Sequence, residues 1–281
     1  MGTINQRPLH AYVRFDGSGR VVTGSLILRR KMPKVGRWEE IPAYECCNPS
    51  TTAFPGLCDT LGFAKTFVVL GNSTVTNTGA STLTGDLGLY PGTAVTGFPP
   101  GVVSGTKHIT NVAAQVAQLS AQAAVDCLSS LTPTTLLGAD IGGTTVTPGI
   151  YNFASTAAIT GVLTLDGGGD PNAVFVFQIP TTLTTAAASN VVLTNGTNAG
   201  NVYWLVGSSA TLGTTSHLVG AILATDSITL TTGASLTGRA LALGGAVTLD
   251  TNSITGANCT IDPCAGVIVP TTTTTTTVRI G

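Results

Sequence analysis

The last third of the chain repeats itself, and the length of that repeat restricts the fold more than any other feature. Residues 201–220 (NVYWLVGSSATLGTTSHLVG), 221–238 (AILATDSITLTTGASLTG) and 239–256 (RALALGGAVTLDTNSITG) align with a slip of a residue or two. Stacked, they give columns: Thr211, Thr229, Thr248; then Leu212, Leu230, Leu249; then Thr214, Thr232, Thr251. His217, Ser235 and Ser253 form another column, followed by Leu218, Leu236, Ile254 and by Gly220, Gly238, Gly256. A period of about 18–20 residues is too short for a pair of helices and suits one coil of a β-helix, three short strands separated by small-residue corners. Because side chains alternate along a strand, the Leu and Ile columns point inward and the Thr and Ser columns outward.

The upstream sequence extends the pattern. Residues 67–85 (FVVLGNSTVTNTGASTLTG) read as a further coil with Thr74, Thr76, Thr82 and Thr84 facing out, and residues 150–169 continue it. Between them the spacing predicts one helix over about 109–131, with an apolar stripe at Val112, Val116, Leu119, Ala123 and Cys127, Thr110 as N-cap and Pro133 as stop. The segments NVYWLV, AILAT, RALAL and AVFVFQI are apolar on both sides, so one solenoid face is expected to lie beneath that helix.

Charge divides the chain into modules. Only 9% of residues are charged, so a wettable surface must come from hydroxyl groups. Eight of the twelve Lys and Arg lie before residue 38, whereas residues 50–260 hold only Lys65, Lys107 and Arg239. Residues 1–44 therefore read as a small basic β module. Its strands AYVRF and VVTGSLILRR are joined by the hairpin turn Asp16-Gly17-Ser18-Gly19, and its basic run is suited to docking on a protein assembly partner. Residues 45–57 form a Cys, Pro and Thr linker, 58–260 the solenoid, and 261–281 a tail with seven consecutive Thr. That tail and the unpaired solenoid ends invite self-association into a homo-oligomer.

Other function classes fare poorly. A net charge of −1 offers no whole-chain attraction for nucleic acid or for a membrane surface. The segment Met1–His10 has no apolar core of a signal peptide, and no apolar run reaches membrane-spanning length. The acidic residues of the coils and their connections, Asp86, Asp140, Asp166, Asp170, Asp226 and Asp250, are scattered over corners and turns, which disfavours a carbohydrate-cleaving β-helix. Asp166 and Asp170 flank a Gly turn and are expected to cap it. No cofactor is indicated, and scattered cysteines with three His and no CxxC pair give no metal site. Cys58 and Cys259 bracket the solenoid; they read either as a disulfide fastening its ends or as buried, inert thiols.

The stretch from Leu61 to Gly256 resembles the ice-binding-like domain of antifreeze proteins. The resemblance is carried by FVVLGNSTVTNTGASTLTGDLGLYPGTAVTGFPPG, TPGIYNF, DPNAVFVFQI, NVYWLVGSSATLG and GRALALGGAVTLDTNSITG. It implies a mainly β fold: a right-handed, discontinuous, triangular β-solenoid with one long α-helix packed alongside. It also implies recognition of ice by a flat face whose outward Thr, Ser, Asn and Ala organise water. Strand rows about 4.7 Å apart across coils and about 6.6 Å along a strand form a lattice commensurable with ordered water. Some faces of this family carry a Thr-(Ala/Gly)-x-(Thr/Asn) pattern. Here the nearest matches, 78–81, 185–188 and 232–235, end in Ser or Ala.

Two readings of function follow. The appended ends favour a non-enzymatic structural or adhesive protein that displays the solenoid on a virion or an extracellular surface, towards ice or another extended ligand such as polysaccharide. The segment AYVRFDGSGRVVTGSLILRR loosely resembles small β modules of bacteriophage structural proteins. The alternative is a genuine ice-binding protein. Either way the candidate contact residues are Thr74, Thr76, Thr211, Thr214, Thr229, Thr232, Thr248 and Thr251.

Overall fold

A computed structural model describes the chain over residues 57–257, with side chains from residue 60, and the backbone of three further strands, His10–Phe15, Ile27–Arg29 and Arg37–Ile41. Those three strands form an antiparallel sheet of their own with His10–Phe15 in the middle. The hairpin turn at 16–19, the Cys58–Cys259 pairing and the tail 261–281 lie outside the described residues.

Each coil of the remainder contributes to three parallel faces. Residues 235–255 show the plan. Residues 235–237 lie on face three, and Gly238 bends the chain so that 239–242 lie on face one. A corner follows, Val247–Asp250 lies on face two, and Ser253–Thr255 returns to face three. The bend needs glycine for space, since a Cβ on Gly238 would come within 1.8 Å of the Gly220 carbonyl oxygen in the next coil.

The coils do not stack in chain order. Phe67–Gly71 pairs with residues 240–241 of the last coil, Thr74–Thr78 with Val247–Asp250, and Thr82–Thr84 with Ser253–Thr255. The first coils therefore extend the stack beyond the last one. Helix α1 (Val112–Ser129) then returns the chain from the strand Lys107–Ile109 at one end to Thr135–Leu137 at the other. Eighteen residues span about 27 Å at the α-helical rise, much of the way along the stack.

The interior is filled by the inward columns, among them Val75, Leu83, Leu163, Leu212, Leu230, Leu249 and Ile254, none more than 2% exposed. Tyr151, Phe177 and Trp204 of successive coils stack with ring centroids 5.5 and 4.1 Å apart, and the Trp204 indole N–H donates to the Val219 carbonyl at 2.8 Å. A second apolar layer lies on the outside of face one. There Ala117, Ala121, Ala124 and Leu128 of α1, with Leu61 and Ala64, cover Leu70, Val176, Tyr203, Leu223 and Leu241.

The helix corrects two expectations. Its N-cap is Asn111, whose side-chain oxygen accepts the Ala114 N–H at 3.0 Å; Thr110 precedes it in a left-handed conformation (φ 49°). Its buried side is led by Ala114, Ala117, Ala121, Ala124 and Leu128; of the expected stripe Val116 is buried as well, while Leu119 and Ala123 are exposed. A helix lying on a flat sheet is brought closest by alanine, so the small residues rather than the bulky ones mark its inner side. Cys127 on this helix is disulfide-bonded.

Candidate functional site

Face two is a side of the solenoid that no other described element covers. Its strands, in spatial order, are Ala157–Ile159, Leu183–Thr185, Ala210–Leu212, Ile228–Leu230, Val247–Asp250, Thr74–Thr78 and Ala94–Thr96. In the segments 157–159, 183–185, 210–212 and 228–230 the two outer positions turn into the core and the middle one is left outside, whereas in Ala94–Thr96 the middle Val95 packs on the core and the outer two face out. The register then aligns Ala158, Thr184, Thr211, Thr229, Thr248, Thr76 and Thr96 in one row. Six threonines in unbroken succession over five strand intervals span about 24 Å at the usual strand spacing.

These threonines are exposed or half-buried, standing on buried neighbours such as Ile228, Leu230, Val247 and Leu249. Threonine suits the position because its branched β-carbon packs on a pleated surface and restricts χ1, so hydroxyl and methyl are held in fixed directions. A flanking row contains Thr74, which registers with Ala94. By strand alternation Ser209, Ser227 and Ala246 continue it two residues before Thr211, Thr229 and Thr248. Two of its hydroxyls turn onto the backbone: the Ser209 and Ser227 oxygens accept the N–H groups of Ser227 and Ala246. Neither row carries a charge. Asp140 stands beyond Ala158 at the end of the main row, bridged to it through the backbone. Its carboxylate is folded back onto the Gly142 and Thr160 N–H groups at 2.9 and 3.0 Å. The Gly142 N–H and Thr160 hold its pKa below the ordinary 3.8.

The expected contact residues divide. Thr76, Thr211, Thr229 and Thr248 share the main row, and Thr74 stands beside it. Thr214, Thr232 and Thr251 lie instead at the corner between faces two and three and do not form the straight column expected. The corners of the coils holding Thr214 and Thr232 have four residues between strands and the last has only 251–252 after Asp250, so Thr251 takes the left-handed position filled by Thr215 and Gly233. The hydroxyls of Thr232 and Thr251 both donate to the Asp250 carboxylate, and so are turned to the protein. Thr184 and Thr96 were missed because neither lies in the 18-residue repeat. The alternation in Leu183-Thr184-Thr185 and Ala94-Val95-Thr96 was the available signal.

Face three is less regular. Its outward row runs Val162, Asn190, His217, Ser235, Ser253, Thr82 and Val102, mixing long, short, polar and apolar side chains. The His217 ring nitrogen lies 2.9 Å from the Ser235 hydroxyl, and partial burial holds its pKa below the ordinary 6.5.

A family model described as Ice-binding-like matches residues 69–255. The chain belongs to the ice-binding-like family. Ice-binding proteins with similar sequences include one from Nostoc sp. (strain HG1), 53% identical over 212 residues, which covers 75% of this chain and 78% of the relative. Another, from Flavobacterium frigoris (strain PS1), is 34% identical over 69% of this chain and 75% of its own length. Among solved structures, the ice-binding protein of the Antarctic ascomycete Antarctomyces psychrotrophicus superposes with a TM-score of 0.69 at 44% identity, covering 70% of this chain and 98% of that one. For this ice-binding-like chain the fold expected from the resemblance is established: a mainly β, discontinuous solenoid with one long helix alongside. The names of these relatives favour the ice-binding reading over the structural or adhesive display reading, and none of them speaks for a virion.

Proposed function

We propose that this protein binds ice through face two, with Thr184, Thr211, Thr229, Thr248, Thr76 and Thr96 as the central contact row. The observation that carries the reading is their unbroken alignment across adjacent strands, including the place where the coils stack out of chain order. Rows about 4.8 Å apart present a repeating array of hydroxyls and methyls on a rigid support. Hydroxyls can hydrogen-bond into ordered water while methyls bound the cages between them. Within the two rows no charged group pulls water into a competing arrangement, and the Asp250 and Asp140 carboxylates at their borders are engaged by protein donors. Thr74 widens this array, whereas Thr214, Thr232 and Thr251 border it with their hydroxyls largely engaged. An ice binder of this kind works where extracellular ice forms.

We read residues 1–44 as a separate attachment module and 45–57 as a linker that holds the solenoid away from whatever the module docks on. The separate three-stranded sheet and the basic run ending at Lys31, Lys34 and Arg37 support that division.

The deciding experiment is ice shaping and thermal hysteresis with the purified chain, beside the double variant Thr229→Tyr, Thr248→Tyr. Shaped crystals with the parent and unshaped ones with the folded variant would support the reading and its face. A folded parent that leaves ice unshaped would overturn it.

A further inference from the structure

The solenoid has one seam that the chain does not cross, between the last coil (239–255) and the first (67–84). We propose that Gln118 and Arg239 are positioning residues that lock the register of this seam, and thereby keep the threonine row of face two a single lattice. The proposal rests on the ice-binding reading of that face.

Elsewhere in the row, neighbouring strands such as those of Thr211, Thr229 and Thr248 are joined by one coil of chain, which limits how far one can slide past the next. Across the seam, Thr248 and Thr76 are separated by 172 residues. Backbone ladders repeat every two residues, so a two-residue slip keeps the same side chains inside and regains most of the ladder bonds. It would also displace Thr76 and Thr96 by about 6.7 Å along the strand against the rest of the row. On face one the seam is thinly paired, with only Ala240 to Val69 and Leu241 to Leu70 in register, and an irregularity lies beside it at 67–69. A contact that does not repeat must therefore select the register.

Besides Ser81, whose buried hydroxyl accepts the Asn252 N–H at 2.8 Å, two long buried polar side chains supply such contacts on the side of faces one and three. Gln118 projects from α1 and is 8% exposed; its amide nitrogen donates to the Gly71 carbonyl at 2.9 Å and to the Ala242 carbonyl at 3.1 Å. Gly71 ends one strand of the seam and Ala242 ends the other. Arg239 is 7% exposed, and its Nε donates to the Lys65 carbonyl at 2.7 Å and an Nη to the Ala257 carbonyl at 2.8 Å. Lys65 precedes the first coil and Ala257 follows the last. Each side chain thus holds one carbonyl from either side of the seam, one by an amide and one by a guanidinium. A slip would part these donors from their acceptors in places where water cannot replace them, at a cost far above that of one ladder bond. Neither residue reaches face two, so their influence on ice passes through the strands they align.

The test uses the full chain with Gln118→Leu and Arg239→Met, beside Leu163→Ala as a core variant away from the seam. Three quantities are read: melting temperature, thermal hysteresis per folded molecule, and amide hydrogen exchange. The seam amides are those of Thr82 and Thr251, which donate to Asn252 and Thr78; the comparison amides are those of Ala210 and Ile228, which donate to Ser227 and Ala246. We expect the seam variants, folded at 4 °C, to lose protection selectively at Thr82 and Thr251 and to lose hysteresis at least about fivefold, as a misaligned supporting shell would cause. Leu163→Ala should lower the melting temperature and keep both. Full hysteresis in a folded Gln118→Leu chain, or uniform loss of protection, would overturn the proposal even if Arg239→Met fails to fold. Absent hysteresis in the parent would overturn the ice reading instead, and the exchange pattern would then judge the seam alone.

Discussion

Thr76 and Thr248 share a hydrogen-bonding distance of 3.4 Å between their hydroxyls although 172 residues separate them in the chain. They meet because the first coil adds to the stack after the last one. The central row of face two is thus an assembled surface, and its members can be changed singly without touching the core.

Thr248→Val keeps the branched shape and Thr248→Ser keeps the hydroxyl, so each should lower thermal hysteresis partially, and Thr248→Tyr should lower it most by propping the ice surface off. Since the site is exposed, stability should change by no more than about 0.5 kcal/mol for the Val and Ser variants. Hysteresis measured beside thermal melts checks both parts.

Trp204 fills the interior beside Phe177 and its N–H satisfies the buried Val219 carbonyl. Trp204→Ala should cost about 3–5 kcal/mol. Trp204→Phe, which keeps the ring stack but orphans that carbonyl, should cost about 1–3 kcal/mol. Denaturant titrations would separate the two.

Gly238→Ala should abolish folding, because its Cβ would meet the Gly220 backbone at 1.8 Å and neither coil can move without breaking the stack. Gly168→Asn should be tolerated. Its φ of 61° suits asparagine and nothing lies within 4 Å of the added carbon. Soluble yield and circular dichroism give the answer.

His217 should make stability pH-dependent in mild acid. Burial lowers its pKa in the folded state below 6.5, so below that pH the unfolded chain takes up a proton that the folded chain resists. Stability contributed by the neutral ring is present above pH 6.5 and is lost as pH falls towards the folded pKa. His217→Gln should flatten the melting temperature over that window. Asp140 has the same sign lower down: its depressed pKa favours the folded state above 3.8 and the benefit fades in stronger acid.

Cys127, on the helix that covers face one, is disulfide-bonded. Reduction, or Cys127→Ser, should lower stability by about 2–4 kcal/mol. Melts with and without reductant would show it.

The columns Leu212, Leu230, Leu249 and Thr211, Thr229, Thr248 were readable in the sequence because coil repeats alternate inside and outside with little slip. What failed to read was whatever depended on contacts beyond one coil. The expected helix stripe holds at Val116 and fails at Leu119 and Ala123, because alanine makes the closest approach to a flat sheet. Sequence spacing aligns the corner threonines, but three residues separate Leu249 from Ser253 where four follow Leu212 and Leu230, which puts Thr251 in another conformation. Thr96 belongs to the row only through the out-of-order stacking, and no local pattern announces that residues 67–103 stack beyond residue 255.

Arg239 grips the backbone where the chain enters the solenoid, at Lys65, and where it leaves, at Ala257. Both points lie at the vertex between faces one and three, the edge of the prism that faces away from the threonine row. A tether joined at Lys65 or Ala257 would therefore start from the keel, on the far side from the threonines. Copies held to a support by that edge would turn their threonines outward.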